Sequence, residues 1–412
     1  MRTSKGTTRR AVGTAAAGTV LAALALAAPA HAAAGQEAAG QAAGHQATAR
    51  AAGGTAGTLT GTGCTPSIRV LASLPGPGED PRPWMATTEV RGIGPLGLSV
   101  GRSQNRPVYW TGTAVHAVPL PSGYTTGVVE AVNRWGLMVG SVSGPGLAPL
   151  AFRYFPGAPA VGILPGGTHA TDVNDWGRAV GYRRTAGGMT GLEWSGGSLR
   201  RELPLPPHMT RLEGVSGINN AGRIVGDGFG LVGDEGYDAG LLWAADPATP
   251  PTELPDVHPG DTYSKYEPRD IDESGRIAGT YGFTHTLISN GAHWLPPYAA
   301  VTHAPGLGDR TQSTFEDISP TTNVSVGTAS DSTIVGPWPP ETAPPYQATY
   351  WKGSGPLLGL PRLAATPTAH AGAFTVTDHD QVGGFAVDAA DVMHPVIWTC
   401  ASKQATLPAG GS

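Results

Sequence analysis

The chain has little charge and little sulfur for its length. Charged residues make up 14% of its 412 residues, and only two cysteines are present, Cys64 and Cys400. Two cysteines without histidine partners at ligand spacing do not build a zinc or iron–sulfur site. No H-E-x-x-H run, and no dense acidic loop of the kind that binds calcium, occurs in the sequence. The sequence therefore contains no recognisable metal signature.

Long apolar runs are confined to the amino terminus. Four basic residues precede an apolar run from Ala11 to Ala28, and Ala30-His31-Ala32 follows it. This order is typical of a cleaved secretory signal, so we expect residues 1–32 to be removed and the protein to be secreted. Arg9-Arg10 leaves open whether export uses the general or the twin-arginine route. No later run reaches about 18 apolar residues, so no membrane span is predicted.

Basic residues are scarce after the predicted signal. Removing residues 1–32 leaves 22 basic against 31 acidic residues. A net negative surface does not favour nucleic acid or an anionic membrane as the partner. Residues 33–62 contain almost no large apolar side chain, which predicts a flexible leader rather than a folded segment.

The rest of the chain repeats one phrase seven times. It consists of an apolar residue, Asn or Asp, a short turn ending in Gly, an apolar residue and Val-Gly, followed later by an aromatic residue. The clearest copies are VNRWGLMVG from Val132, VNDWGRAVGY from Val173, INNAGRIVGD from Ile218 and IDESGRIAGTY from Ile271. Weaker copies begin at Ile93, Ile318 and Val376. A Leu-Pro pair follows most of the aromatic residues, as at Leu203-Pro204.

Turn chemistry explains the phrase and predicts the fold. An Asn or Asp side chain folds back onto the backbone two residues on, and Gly accepts the positive φ that ends the turn. Alternating apolar residues on both sides fit strands, and the later aromatic residue is expected to fill the space between units. Each unit has room for four strands. Residues 63–412 are therefore predicted to form an all-β domain, a seven-bladed β-propeller of four-stranded antiparallel blades.

These copies resemble the extracellular HAF repeat, a bacterial family. The resemblance rests on GINNAGRIVG with GLLW, DIDESGRIAG with AHW and DVNDWGRAVG with GLEW, and it covers residues 87–400. It implies a β-propeller-like fold and export. It brings no catalytic residues to this chain. The first, sixth and seventh copies depart from the pattern.

The two cysteines bear on how the ring closes. Cys64 precedes a candidate strand that ends in Leu74-Pro75, and Cys400 follows Trp398. If the amino-terminal strand completes the seventh blade, the two cysteines face each other and a disulfide is expected in an exported chain. We favour this arrangement. The alternative, that Leu407-Pro408 supplies the last strand, stays open on the sequence alone.

Candidate functional residues lie in the loops that join blades and in those that join the second and third strands. Both sets of loops lie on one side of a propeller, here called the variable-loop face. We take as candidate catalytic or metal-binding residues the histidines of four such loops: His169, His208, His258 and His370. Candidate ligand-binding residues are Trp84, Tyr263, Tyr266, Tyr281, His285 and Trp338. The histidines lie at unequal distances from the following strand, so scattered polar loop residues are the other interpretation.

Two classes of function follow. The favoured one is an extracellular binding or interaction module, with no cofactor, that holds a glycan, a peptide or a cell-envelope component on the variable-loop face. We expect it to act as a monomer. The alternative is a metal-assisted lyase or hydrolase that uses a divalent ion held by the loop histidines. Asp172, Asp270 and Asp317, and the Asn or Asp of each phrase, are expected to serve the turns, because they recur with the repeat.

Overall fold

The structure is a computed structural model that describes residues 64–76, 87–232, 235–255, 264–283, 289–308, 310–330, 346–366 and 369–408. These residues belong to one compact unit, Thr62–Ser412. The predicted signal at 1–32 and leader at 33–62 lie outside the described residues.

Seven four-stranded antiparallel sheets form the seven blades of a β-propeller. Strand β1 is Ser67–Val70. Blade 1 contains β2 Glu89–Ile93, β3 Leu98–Ser103, β4 Arg106–Thr111 and β5 Ala114–Ala117. Blade 2 contains β6 Thr126–Val132, β7 Met138–Gly144, β8 Leu147–Tyr154 and β9 Gly162–Ile163. Blade 3 contains β10 His169–Val173, β11 Arg178–Thr185, β12 Gly188–Ser195 and β13 Ser198–Leu203. The first strand of each blade lies innermost.

The remaining blades follow the same order. Blade 4 contains β14 Met209–Ile218, β15 Ile224–Val232, β16 Glu235–Trp243 and β17 Thr252–Glu253. Blade 5 contains β18 Ser264–Ile271, β19 Ile277–Phe283, β20 Ser289–Trp294 and β21 Val301–His303. Blade 6 contains β22 Gln312–Ile318, β23 Ser325–Ser330, β24 Gln347–Trp351 and β25 Leu358–Gly359. Blade 7 contains β26 Ala371–Val376, β27 Gln381–Val387 and β28 Met393–Thr399. The helical elements of the described residues are a 3-10 turn, Pro95–Gly97, and one α-helical turn, α1 Ala401–Gln404.

The amino-terminal strand closes the ring, as the sequence favoured. Strand β1 pairs antiparallel with β28 and becomes the fourth strand of blade 7. The predicted disulfide joins Cys64 to Cys400, whose Cα atoms are 5.9 Å apart. The alternative is not adopted, because the carboxyl-terminal segment reaches blade 6 instead, where Thr406 bridges Gly359.

Each aromatic residue of the phrase fills the space between two blades. Trp194, Trp243 and Trp398 are 0 to 1% exposed. Their indole N–H groups donate to carbonyls of the preceding blade, those of Pro165, Pro204 and Pro361, at 2.9, 2.6 and 2.8 Å. These three Leu-Pro pairs therefore supply the acceptor for the next blade's tryptophan.

In blade 7 the Leu-Pro pair predicted to end the fourth strand, Leu74-Pro75, does not take the position that Leu-Pro pairs take in other blades. Trp110 of blade 1 donates to the Ala72 carbonyl at 2.7 Å, and Leu71 is 2% exposed in the adjoining core. Leu71-Ala72 thus takes the place that the sequence had assigned to Leu74-Pro75, because β1 already ends at Val70.

The Asn of the phrase connects neighbouring blades as well as closing its own turn. The Asn174 side-chain oxygen accepts from the Trp176 and Arg178 N–H groups at 3.1 and 3.0 Å. Its amide nitrogen donates to the Asn219 carbonyl of blade 4 at 3.0 Å. Asn133 and Asn219 make the same link to the following blade. One side chain therefore satisfies three backbone groups, and the repeated Asn is structural, as expected.

The closing glycine of the phrase is required for a different reason, the close approach of the neighbouring strand. A Cβ at Gly101, Gly140, Gly181, Gly226, Gly279, Gly327 or Gly384 would lie 1.9 to 2.3 Å from a carbonyl oxygen of the inner strand of the same blade. Beside each contact the inner strand has a register shift, which marks a β-bulge. Any side chain at these glycines would push the two strands apart.

Removing the disulfide should destabilise the ring. The bond closes a loop with a sequence separation of 336 residues. A double variant, Cys64→Ala with Cys400→Ala, should lose about 3 to 5 kcal/mol of unfolding free energy, because the unfolded chain is no longer cross-linked. Urea unfolding followed by circular dichroism measures the difference. Reduced wild-type protein should match the variant, and a loss below about 1 kcal/mol would contradict the expectation.

Replacing a closing glycine should be more damaging than replacing a loop glycine. In Gly140→Ala the new methyl group would lie 2.0 Å from the Val128 oxygen, so the strands must separate. We expect a loss of about 3 kcal/mol or more. Gly187→Ala is the matched control, because the nearest atom to its Cβ is 3.6 Å away and its φ is not positive. Equal stability of the two variants in urea unfolding would refute the explanation.

Candidate functional site

The bulges surround a central channel with one extra residue from each blade. These residues are Arg91, Glu130, Thr171, Ser216, Arg269, Glu316 and Phe374, called here the bulge ring. All seven line one cavity of about 1200 Å³ along the propeller axis. The regular phrase therefore places a varied set of side chains at equivalent positions around the axis.

Charged side chains occupy four blades of the bulge ring, hydroxyl groups occupy two, and an aromatic ring occupies blade 7. Arg91 lies 3.9 Å from Glu130 and over the Phe374 ring, 4.4 Å from its centroid. In blades 4 and 3, Ser216 donates to the Pro268 carbonyl at 2.6 Å and Thr171 donates to the Val180 carbonyl at 3.3 Å. Six of the seven positions in the ring are therefore polar, and the charged positions are unevenly distributed around the axis.

The channel as a whole is acidic. Its described lining contains thirteen carboxylate side chains against the five basic side chains Arg91, Arg134, Arg211, Lys265 and Arg269. The carboxyl groups that are ionised give the cavity an excess of negative charge, which a bound cation would reduce.

Three half-buried aspartates follow the bulges and connect blades. Asp172 accepts from the Ile218 N–H of blade 4 at 2.7 Å, and Asp317 accepts from the Val376 N–H of blade 7 at 2.7 Å. Asp270 makes a longer contact of 3.4 Å with the Ile318 N–H. Their recurrence in the sequence therefore reflects contacts between blades, and the prediction that they serve the turns was wrong.

Burial perturbs the titration of these carboxyl groups. Burial and the charge of Asp270 raise the pKa of Asp172 to about 8, although two backbone N–H groups favour its ionised form. Burial, the charge of Asp270 and a hydrogen bond with it raise the pKa of Asp317 well above its usual value. The channel wall therefore holds protons near neutral pH.

The end of the channel on the variable-loop face is formed by blades 4 and 5. Asp227 and Asp238 lie on β15 and β16 and line the cavity with Lys265 of β18. Burial and the charge of Glu267 raise the pKa of Asp227 to about 7. The guanidinium of Arg211 lies 3.8 Å from the Phe229 ring centroid. This end of the channel offers carboxylates that can take up or release protons.

The other end is formed by the short turns, here called the turn face. Asn220 donates to Asp175 at 2.8 Å, and the backbone N–H of Asp175 donates back to the Asn220 side chain at 2.8 Å. The Thr321 N–H donates to Asp378 at 2.8 Å across blades 6 and 7. Hydrogen bonds between successive turns therefore surround this end of the channel.

The predicted histidines lie on different blades. His169 stacks on Tyr182 at 4.7 Å, and burial lowers its pKa. His208 pairs with Glu253 in blade 4. His370 accepts from the Tyr346 N–H at 3.0 Å, and burial and two arginines lower its pKa to about 4. His258 lies outside the described residues. Within the described ranges, no group of three His, Cys, Asp or Glu side chains is arranged to hold a metal ion.

Two of the predicted ligand-binding tyrosines belong to the core of blade 5. Tyr266 and Tyr281 are 3% and 4% exposed and stack on each other at 5.1 Å. They face each other across β18 and β19, which extend further toward the variable-loop face than the alternation suggested. Their position supports a packing role, and a binding role stays a prediction. The other candidates lie outside the described residues: Trp84, Tyr263, His285 and Trp338.

The bulge ring was not found by sequence reasoning, although a signal for it exists. Each of its members stands two residues before the first apolar residue of a phrase, as Arg91 does before Ile93 and Glu130 before Val132. An alignment of the seven copies would have shown that this position is mostly charged or polar. Ser99, in a G-x-S-x-G run from Gly97, lies fully buried in β3 and not in the strand-to-helix turn of a nucleophile.

Comparison with known proteins identifies the fold and goes no further. No protein-family model and no curated protein matches the chain. A prolyl endopeptidase structure superposes with a TM-score of 0.50 and 10% identity over 78% of this chain and 49% of its own. Oligogalacturonate lyase from Vibrio parahaemolyticus superposes with a TM-score of 0.45 and 10% identity, over 82% of this chain and 98% of the lyase chain. TolB from Acinetobacter baumannii superposes with a TM-score of 0.38 and 7% identity, over 66% of this chain and 65% of the TolB chain.

Stability should fall as pH rises from about 4 to about 8. The folded protein retains protons on Asp172, Asp227 and Asp317 through this window, whereas the unfolded chain releases them near their ordinary values. Their contribution is complete below the unfolded pKa and is lost as pH rises through the folded pKa. Each retained proton should change the unfolding free energy by up to about 1.4 kcal/mol per pH unit.

Urea unfolding at several pH values measures this slope. Asp172→Asn should make the slope shallower, because one titrating group is gone. Thr171→Ser, at the adjacent position, is the matched control and should keep the wild-type slope. A wild-type protein that gains stability between pH 5 and pH 8 would show that the buried carboxyl groups do not dominate the linkage.

Proposed function

We propose that the protein is an exported binding module whose ligand enters the central channel from the variable-loop face. Export is supported by the order of residues 1–32 and by the Cys64–Cys400 disulfide, since disulfides persist in oxidising compartments. None of the helices in the described part of the chain is long and apolar enough to span a membrane. The three phrase copies quoted above support membership of the HAF-repeat family.

The acidic channel carries the proposal for the ligand. Even with Asp172 and Asp317 protonated near neutral pH, the carboxyl groups that line the cavity of about 1200 Å³ outnumber its five basic groups, which favours a cationic ligand larger than a metal ion. A basic segment of an extracellular peptide or protein fits best. It presents several ammonium or guanidinium groups along its length, and the carboxylates are likewise spread along the channel.

Protonation gives the proposed binding a distinctive pH dependence. Asp227 has a pKa of about 7 at the channel end, so it is partly neutral near physiological pH. A bound cation favours the ionised carboxylate and releases its proton. Affinity for a basic peptide should therefore rise between pH 6 and pH 8, whereas ionic binding to ordinary surface carboxylates would stay nearly constant there.

The alternative, a metal-assisted lyase or hydrolase, lacks a supporting observation in the described residues. His169, His208 and His370 belong to blades 3, 4 and 7 and have protein partners of their own. That alternative remains a prediction that depends on His258 and the other residues outside the described ranges.

Calorimetric titration with a penta-lysine peptide tests the proposal directly. Residues 33–412 should bind it in the channel, and Asp227→Asn with Asp238→Asn should weaken binding about tenfold, because two carboxylates at the channel end lose their charge. The matched control is Glu202→Gln on the outer strand β13, where Glu202 pairs with Arg183 at 2.8 Å. It should bind as wild type does.

Two further peptides make the outcome specific. Penta-glutamine and penta-glutamate should not bind, and raising the salt concentration should weaken binding of the lysine peptide. Equal affinity of the double variant and wild type, or an affinity that does not rise from pH 6 to pH 8, would overturn the channel as the binding site.

A further inference from the structure

Three large apolar side chains are exposed at one equivalent turn position in consecutive blades. Trp135 of blade 2 is 67% exposed and Trp176 of blade 3 is 70% exposed. Leu96 takes the same position in blade 1 and is fully exposed. All three lie on the turn face, opposite the end of the channel that the proposed peptide would enter.

The fold does not require an aromatic residue at this turn position. In blade 3 the turn is closed by the Asn174 oxygen, which accepts the Trp176 and Arg178 N–H groups. In blade 5 Asp272 closes the same turn with Ser274 in place of the tryptophan. Blade 4 has Ala221 there. The backbone N–H groups that close the turn are present whatever the side chain at this position, and both indole rings are mostly exposed, so neither turn formation nor packing explains the tryptophans.

Hydrogen bonds join the two tryptophan turns into one surface. The Asn133 amide donates to the Asn174 carbonyl at 3.0 Å, and the Arg134 N–H donates to Asp175 at 3.0 Å. The Arg134 guanidinium lies 4.9 Å from the Trp135 ring centroid and 3.5 Å from the Asp175 carboxylate. The surface therefore contains two aromatic rings on adjacent blades with a polar, charge-balanced bridge between them.

These features fit a carbohydrate better than a second protein. A stable protein interface needs about 1,000 Å² of buried surface with a continuous apolar core, whereas polar bridges separate these side chains. Exposed indole rings can stack on the C–H faces of pyranose rings, and the bridge can hydrogen-bond their hydroxyls. Its balanced charge offers no preference for an anionic or cationic polymer. Rings repeated at the blade spacing suit a ligand that repeats along its length.

We propose that Trp135 and Trp176, with Leu96 beside them, form a binding surface for a neutral pyranose polysaccharide. The rings lie at the opposite end of the channel from its proposed entrance, although Arg134 and Asp175 of the bridge also line the cavity. A glycan there would hold the exported protein against a polysaccharide while the variable-loop face stays free.

Calorimetric titration of residues 33–412 with cellohexaose, chitohexaose and maltohexaose tests the surface. At least one should bind, and Trp135→Ala with Trp176→Ala should weaken that binding about tenfold or more. Leu147→Ala is the matched control, because Leu147 is a 43% exposed apolar residue on the variable-loop face. It should bind as wild type does.

Other outcomes would overturn the inference. Absence of binding to all three oligosaccharides, or equal binding by the double variant, excludes a neutral glycan on this surface. Concentration-dependent dimerisation of wild type in sedimentation velocity that the double tryptophan variant abolishes would instead assign the surface to a second copy of the chain. Circular dichroism confirms that each variant is folded, as expected for substitutions at exposed positions.

Discussion

The rest of the structure depends on the close approach of two strands in every blade. At each closing glycine the neighbouring strand's carbonyl oxygen occupies the space that a side chain would need. This contact accompanies the bulge in the inner strand, and the bulge turns one additional side chain toward the axis. The same contact that fixes the blade therefore lines the channel. The contact and the bulge occur in all seven blades, so the same backbone geometry presents a different side chain to the channel in most blades.

The repeated residues of the phrase build the ring, and the varied positions between them are free for function. Asn closes the turn and joins the next blade, Gly admits the neighbouring strand, and Trp with Leu-Pro joins blade to blade. Two positions in each copy have no such role. One lies at the bulge and faces the channel, and the other lies at the tip of the turn and faces solvent. A structural repeat can in this way offer a charged channel and an aromatic surface on the same scaffold.

The blades could be predicted from the sequence because the residues of the turns and of the packing between blades repeat. Side-chain directions that depend on how two strands pair could not be predicted. Residue order predicted the seven blades, and it favoured the amino-terminal closure and the Cys64–Cys400 bond that the structure contains. Bulges interrupt the two-residue alternation, so simple periodicity did not reveal that Glu130 and Glu316 face the axis. Tyr266 and Tyr281 were assigned to loops, since alternation sets no limit on how far a hairpin continues. Loop histidines on separate blades could not be placed without the ring itself.

A crystal structure of residues 33–412 with penta-lysine at pH 8 would show whether the channel binds a basic peptide. We expect peptide density inside the channel, with ammonium groups within hydrogen-bonding distance of carboxylates such as Asp227 or the bulge-ring Glu130. Peptide density only on the outer strands, with the channel carboxylates contacting solvent alone, would contradict this expectation.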